Sequence, residues 1–244
     1  MKISIITITF NAEATLANTL NSVFRQSYKN IEHIIIDGNS KDKTLKICND
    51  FPHISKIISE PDKGVYDAFN KGLKTATGDI VGFLNADDIF FSEDSVNEIA
   101  SAFIKNNTDI VYGNLDYVNE NGKVIRNWIS KPYKKGLEKK ALMPAHPTFY
   151  CKKEIYDRIG GYNDSFKIAG DFELCMRFLN VNNIPSYYLN KKLIKMLAGG
   201  ISNNGLKSKL IIYKEELRAF KLNDINVNSI IFLFYKLRKI IQFI

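Results

Sequence analysis

Apolar and polar residues along the first ninety positions alternate between two periods. Ile3 to Thr9 is a β-branched run of strand type, closed by Asn11. From Ala12 to Arg25 the apolar residues Leu16, Leu20, Val23 and Phe24 recur at helical spacing. Ile31–Ile36 reads as a second strand ending at Asp37-Gly38, Thr44–Cys48 as the start of a short helix, and Lys56–Ser59 as a third strand. Val65–Ala76 predicts a helix stopped by Gly78, and Ile80–Leu84 a fourth strand ending at Asn85-Ala86-Asp87-Asp88. Strands alternating with helices predict βαβ units and a mostly parallel central sheet, an α/β fold. Near-continuous apolar strands fit a sheet covered on both faces. In such sheets ligands bind outside the carboxyl ends of the strands. Three of the four expected strand ends carry an acid or amide (Asn11, Asp37, and Asn85 to Asp88), so a polar site is expected along one edge.

Beyond residue 88 the pattern is less regular. Ser95–Lys105 predicts a helix, Asp109–Tyr112 a strand, and Asn114–Trp128 a hairpin turned by Asn121-Gly122. Thr148–Cys151 is strand-like, and Asp171–Asn180 is a helix with Asp171 and Glu173 in its first turn. Ala198-Gly199-Gly200 is a flexible break, after which Leu206–Leu222 and Ser229–Ile244 predict two terminal helices.

Composition is that of an ordinary globular chain: 244 residues, 45% hydrophobic and 25% charged. The net charge of +8 is unevenly spread. Residues 205–244 hold eight Lys/Arg against three Asp/Glu, and residues 131–140 hold five Lys against one Glu, which leaves the remaining chain almost neutral. A charge held in two segments argues against nucleic acid as the partner. Cys48, Cys151 and Cys175 are far apart, with no CxxC, and read as reduced buried thiols. His33, His53 and His146 lack zinc-ligand spacing. The apolar stretch after Met1-Lys2 is too short for a signal peptide, and no run approaches a membrane span, so a cytoplasmic protein is expected.

No GxGxxG follows a strand and no GxxxxGK[ST] occurs, so the usual phosphate cradles are missing. A diphosphate is then expected to be neutralised by a cation held on carboxylates. Asp87 and Asp88 offer such a place, because adjacent acids at a buried strand end repel one another unless a cation pairs with them. Carboxylate oxygens suit Mg²⁺ or Mn²⁺. An acidic turn capping the next helix is the plainer reading of the same pair.

Seven segments in order carry a resemblance: SIITITFNA at 4–12, IIIDGNSKDKT at 34–44, GVYDAFNKGL at 64–73, GDIVGFLNADD at 78–88, HPTFY at 146–150, GGYNDSF at 160–166 and AGDFELCMR at 169–177. Together they resemble the family 2 glycosyltransferases, which have the GT-A fold, and among them bacterial enzymes building exopolysaccharide, capsule or O-antigen units. The resemblance spans residues 1–203, a nucleotide-sugar half (1–95) followed by an acceptor half (96–203), with 204–244 as a basic amphipathic helical tail.

The resemblance implies inverting, metal-dependent transfer from a nucleotide diphosphate sugar, UDP-linked, to a glycan acceptor on a polyprenyl-diphosphate carrier. Thr9 and Phe10 would line the base pocket, and Asp37 would accept a hydrogen bond from the base. Asn85, Ala86 and Asp87 match the family's DxD-type motif at the donor, with Asp87 ligating the metal and Asp88 assisting. Asp171 matches the catalytic base; the usual Glu-Asp pair reads Gly170-Asp171 here. Asp62, Lys63 and Asp67 are further donor-contacting candidates, since the Arg-Asn pair of many relatives reads Phe69-Asn70. His146 and Glu173 are acceptor candidates. Gly199-Gly200-Ile201-Ser202 resembles the loop that closes over the donor.

The apolar and basic stretch Ile230–Ile244 predicts an interfacial helix on the anionic inner face of the plasma membrane. A helix docked on the domain or a dimer contact is the competing reading. Two rival functions share the fold: a sugar nucleotidyltransferase, which the non-basic segment 10–15 disfavours, and a binding protein without catalysis, prompted by Asn85 and Gly170.

Overall fold

The computed structural model describes residues 1–199 and 205–240. The first strand, β1 (Ile3–Thr9), is buried almost throughout because its two faces meet different layers. Ile6 joins one core with Ile34 and Ile36, while Ile3 and Ile5 join another with Val96, Ile99 and Phe103. This two-sided burial is why the strand shows no polar alternation.

Strands β2 (Ile31–Asp37) and β3 (Ile54–Ser59) pair parallel beside β1, and β4 (Ile80–Phe83) pairs parallel on its other side. Helix α1 (Leu16–Phe24) starts later than its periodicity predicts. Asn11 takes a left-handed backbone (φ 48°), and the Ala12 carbonyl accepts the amides of Thr15 and Leu16, so residues 11–15 form a turn. Helices α2 (Thr44–Asn49) and α3 (Val65–Thr75) complete the crossovers. Tyr66, Phe69 and Leu73 of α3 pack on Ile6, Ile34 and Ile36, whereas Leu16 and Leu20 of α1 pack on Ile35 across the sheet.

The second half departs from the parallel order. Strand β5 (Ile89–Phe90) and helix α4 (Ser95–Asn106) lead to β6 (Ile110–Val118), which is longer than expected and forms the predicted hairpin with β7 (Val124–Trp128). Strand β8 (Tyr150–Lys152) precedes α5 (Lys153–Ile159) and α6 (Gly170–Met176), after which a π-helical segment Arg177–Val181 leads toward β9 (Ser186–Leu197). The sheet order is β3-β2-β1-β4-β8-β6-β9-β5, with β7 on β6. β8 runs antiparallel between β4 and β6, β9 pairs parallel with β6, and β5 is antiparallel to β9. The α/β class holds, but parallel order dominates only the first half. Strands β5 and β9 and helix α5 carry no periodic signal that the sequence reading used.

Helices α7 (Gly205–Leu222) and α8 (Ser229–Ile240) are not a detached tail. Ala219, Phe220 and Phe232 are buried in the same core as Phe172 and Leu174. The inner side of the helical pair therefore docks on the domain, which is the competing reading of the tail. Residues 241–244 and most of the predicted donor-closing loop lie outside the described residues; of that loop only Gly199 is described, with φ 144°.

Candidate active site

The ends of β1, β2 and β3 bring Thr9, Asp37 and Ser59 side by side, since Thr9 is in register with Asp37 and Asp37 with Ser59. Asp37 is fully buried. Its Oδ1 accepts the Ser40 hydroxyl at 2.5 Å, and its Oδ2 accepts the Ser40 amide at 3.0 Å and the Ser59 hydroxyl at 2.6 Å. The carboxylate thus shapes the loop after β2, and a base reaching it must lie against Ser40 and Ser59. Thr9 Oγ1 is buried beside it without a hydrogen-bond partner. Phe10 is 63% exposed and stands at the rim. A Cβ added to Gly38 would meet Asp62 Oδ2 at 2.7 Å and the Phe10 ring at 3.3 Å, so Phe10, Gly38 and Asp62 converge at one mouth.

The other donor candidates on this side are engaged locally. Asp62 Oδ1 accepts the amide of Gly64, whose φ of 135° needs glycine. Asp67 Oδ2 accepts the Lys63 amide at 3.0 Å and pairs with Lys71 at 3.5 Å, which hold its carboxyl below the usual range. Asp67 therefore organises the start of α3, and the Lys63 side chain is exposed.

The end of β4 carries the acidic pair. Asp88 is fully buried. Its Oδ2 accepts the Asn85 amide at 3.0 Å, and its Oδ1 has no partner. Burial pushes the Asp88 carboxyl well above the ordinary range, with Asp87 adding repulsion, and burial raises Asp87 as well. An orphaned buried carboxylate oxygen beside a second acid is the arrangement a divalent cation relieves. Mg²⁺ and Mn²⁺ need only one or two protein carboxylates when phosphate and water supply the rest, so Asp87 and Asp88 fit the group. Among the described residues no cluster of three or more ligating side chains surrounds them. Asp87, with Ala86 buried behind it, opens on a cleft of about 740 Å³ bordered by Thr15, Asn18, Asn119 and Lys195.

Asp171 lies in the first turn of α6, part-exposed, its Oδ1 accepting the Phe172 amide at 2.8 Å. Tyr117 on β6 lies within electrostatic reach of both Asp88 and Asp171, and His146 within reach of Asp171. Across the hairpin the Arg126 guanidinium sits 5.3 Å from both the Tyr117 and Trp128 ring centroids. His146 Nε2 meets the Tyr162 hydroxyl at 2.6 Å, and burial lowers its pKa, keeping the imidazole neutral near pH 7.

One sequence expectation changes here. Glu173 is not presented to an acceptor: it is 4% exposed, bonds the Arg177 guanidinium through both oxygens at 2.9 and 3.1 Å, and accepts from Asn223. Its place one turn before Arg177 on the buried side of α6 makes it structural. The missing acid at position 170 also has a local reason. A Cβ there would lie 2.7 Å from two Tyr66 ring atoms, so Tyr66 occupies the space a side chain would need. The Tyr66 hydroxyl accepts the amides of Gly170 (2.8 Å) and Asp171 (3.3 Å) and donates to the Ile168 carbonyl at 2.5 Å. Tyr117 and Arg126 escape the sequence reading, and Tyr66, within a quoted motif, is given no role by it.

A flanked α/β sheet with carboxylates at its strand ends is the architecture of the GT-A class. Residues 4–162 match the family described as Glycosyl transferase family 2, and the chain belongs to that family and is a glycosyltransferase. It is 29% identical over 247 residues, 98% of this chain and 92% of the relative, to a PGL/p-HBAD biosynthesis glycosyltransferase of Mycobacterium bovis. It is 30% identical over 188 residues, 75% of this chain and 72% of the relative, to the UDP-Glc:alpha-D-GlcNAc-diphosphoundecaprenol beta-1,3-glucosyltransferase WfgD of Escherichia coli. Among solved structures, S. aureus TarS 1-349 in complex with UDP-GlcNAc superposes with a TM-score of 0.73 at 21% identity, over 93% of this chain and 68% of that one.

Proposed function

We propose that the chain is an inverting transferase that moves a sugar from a UDP-linked donor to a glycan hydroxyl on a lipid diphosphate carrier. The observation that carries this reading is the buried Asp88 carboxylate beside Asp87, with its Oδ1 left without a hydrogen bond. Phe10 and Asp62 frame the base, with Asp37 and Thr9 at the floor of that mouth. Asp87 and Asp88 would hold a divalent cation, which supplies neutralisation of the leaving diphosphate. Asp171 accepts the acceptor's hydroxyl proton as that oxygen bonds the anomeric carbon; the bond from that carbon to the diphosphate oxygen breaks, and the configuration inverts. Holding donor and acceptor in line supplies a further part of the rate gain. The donor and acceptor in the names of TarS and WfgD, a UDP-sugar and a diphosphoundecaprenol-linked sugar, support the same choice.

The reading extends to location. Among the described residues no helix is long and apolar enough to cross a membrane. The outer side of α8 exposes Ile230, Ile231, Leu233, Phe234 and Leu237, and α8 lies against the turn Glu138–Lys140 of the basic segment 131–140. The two basic segments of the sequence therefore meet on one face. Exposed apolar residues on a helix of a basic segment suit the anionic surface where a lipid-linked acceptor resides, the inner face of the plasma membrane.

A thermal-shift screen of nucleotide sugars with and without Mn²⁺ tests the function. A UDP-sugar is expected to raise the melting temperature, and more so with Mn²⁺, because ligands stabilise the state they bind. No shift with any nucleotide sugar would overturn the reading.

A further inference from the structure

The loop that delivers Asp171 begins with a turn at 163–166, and beyond it the backbone amides find no partner within the loop. Five consecutive backbone amides, those of residues 167–171, are all taken by two side chains from other elements. Glu215 of α7 accepts Lys167 at 2.7 Å through Oε1, and Ile168 and Ala169 at 2.9 Å each through Oε2. Tyr66 of α3 takes the next two, those of Gly170 and Asp171. One turn further along α7, Arg218 donates to the carbonyl and hydroxyl of Ser165, at 3.2 and 2.7 Å, and lies over the Phe166 ring. Helix α7 thus grips residues 165–169 with an acid and a base, directly before Asp171.

We infer that Glu215 is a positioning residue for sugar transfer, setting where Asp171 stands through the three amides that precede it. An ionised carboxylate accepting several amides makes charge-assisted bonds, stronger than neutral ones. Placement within a fraction of an ångström decides whether a general base reaches its proton. The inference rests on the reading of Asp171 as the base. It also gives the segment beyond the matched family region, which ends at residue 162, a part in the chemistry.

The test compares full-length wild type with Glu215→Gln, Glu215→Asp and Asp171→Asn. Two quantities are followed: hydrogen exchange across residues 165–173, and UDP release from UDP-glucose with Mn²⁺ and a diphosphate-lipid-linked N-acetylglucosamine acceptor. The glutamine amide keeps the shape but loses the charge and one acceptor oxygen. Glu215→Gln is expected to speed exchange at 167–169 and to lower kcat roughly ten-fold or more with donor KM unchanged. Glu215→Asp is expected to recover part of the rate. Unchanged exchange in Glu215→Gln overturns the clamp even where turnover is too slow to follow. Faster exchange with wild-type kcat, while Asp171→Asn is inactive, overturns positioning and leaves the base reading intact. Wild-type kcat in Asp171→Asn instead overturns the base reading. A variant that melts before the assay temperature is decided by Glu215→Asp, whose restored fold without restored kcat also overturns the inference.

Discussion

Asp88 is the residue on which burial, charge and chemistry meet most sharply. Its carboxyl titrates above the ordinary range because burial and Asp87 disfavour ionisation. An acid with a raised folded pKa stabilises the protein at pH values below its unfolded pKa, and that contribution is lost as pH rises through the folded pKa. Without a divalent cation, the Asp88 contribution to stability, read as wild type against Asp88→Asn, should therefore decline from acid toward neutral pH, and saturating Mn²⁺ should flatten that difference. Asp88→Asn should raise the metal-free melting temperature at pH 7 and abolish the extra stabilisation that Mn²⁺ gives UDP. A thermal-melt series over pH, with and without Mn²⁺, checks both; a variant that keeps the Mn²⁺ effect would remove Asp88 from the site. Gly170 offers a second test. Gly170→Ala drives a methyl into the Tyr66 ring and should cost about 1–3 kcal/mol in urea unfolding without gaining activity. A neutral result would mean the ring yields, and the departure from the family's acidic pair would need another cause. The acids at strand ends could be read from sequence because strand, turn and acid are contiguous. Tyr66, Tyr117 and Glu215 could not, because Tyr66 and Glu215 bond residues 46 to 105 positions away and Tyr117 reaches Asp88 and Asp171 only once the sheet is built.

Elements of the first half follow their local pattern because β1, β2 and β4 are buried on both faces, and α1 and α3 bury one side. The second half does so less. Strand β9 carries Asn190, Lys191 and Lys192 at its centre, so it shows neither an apolar run nor clean alternation, and its pairing with β6 decides it. Strand β5 is two residues long, too short for any period. At the buried edge of β2, His33 bonds Thr7 and His53 at 3.0 Å each, and burial holds its pKa at about 3. A histidine with a lowered folded pKa stabilises above its unfolded value near 6.5, and that contribution is lost as pH falls. His33→Gln should therefore weaken the loss of stability between pH 6.5 and 4, as measured by denaturant unfolding at fixed pH. An unchanged slope would assign that loss to other groups. For the terminal helices, Phe232 is fully buried against Phe172 and Phe220. Phe232→Ala should cost about 3–5 kcal/mol if α8 is integral to the fold. A cost near zero would make α8 an appendage.

At the scale of the whole molecule, the net charge of +8 resides in two segments, of which the last helix lies against the turn Glu138–Lys140. A near-neutral catalytic body carries a face where segments 131–140 and 205–240 adjoin and where apolar residues of α8 stand exposed. Co-sedimentation with vesicles should show binding to anionic but not zwitterionic lipid, weakening as salt rises, and Phe234→Asp should reduce it several-fold. Equal binding to both vesicle types would leave that face without its proposed role. The central claim is the transfer reaction itself, and its most direct test is the rate of UDP release by Asp171→Asn against wild type. The donor is the UDP-sugar selected by thermal shift, with Mn²⁺ and a diphosphate-lipid-linked glycan acceptor. The account predicts that Asp171→Asn binds UDP as wild type does and transfers at least a hundred-fold more slowly, in keeping with the roughly 10²–10⁴-fold contribution of a general base. Transfer at the wild-type rate would contradict it.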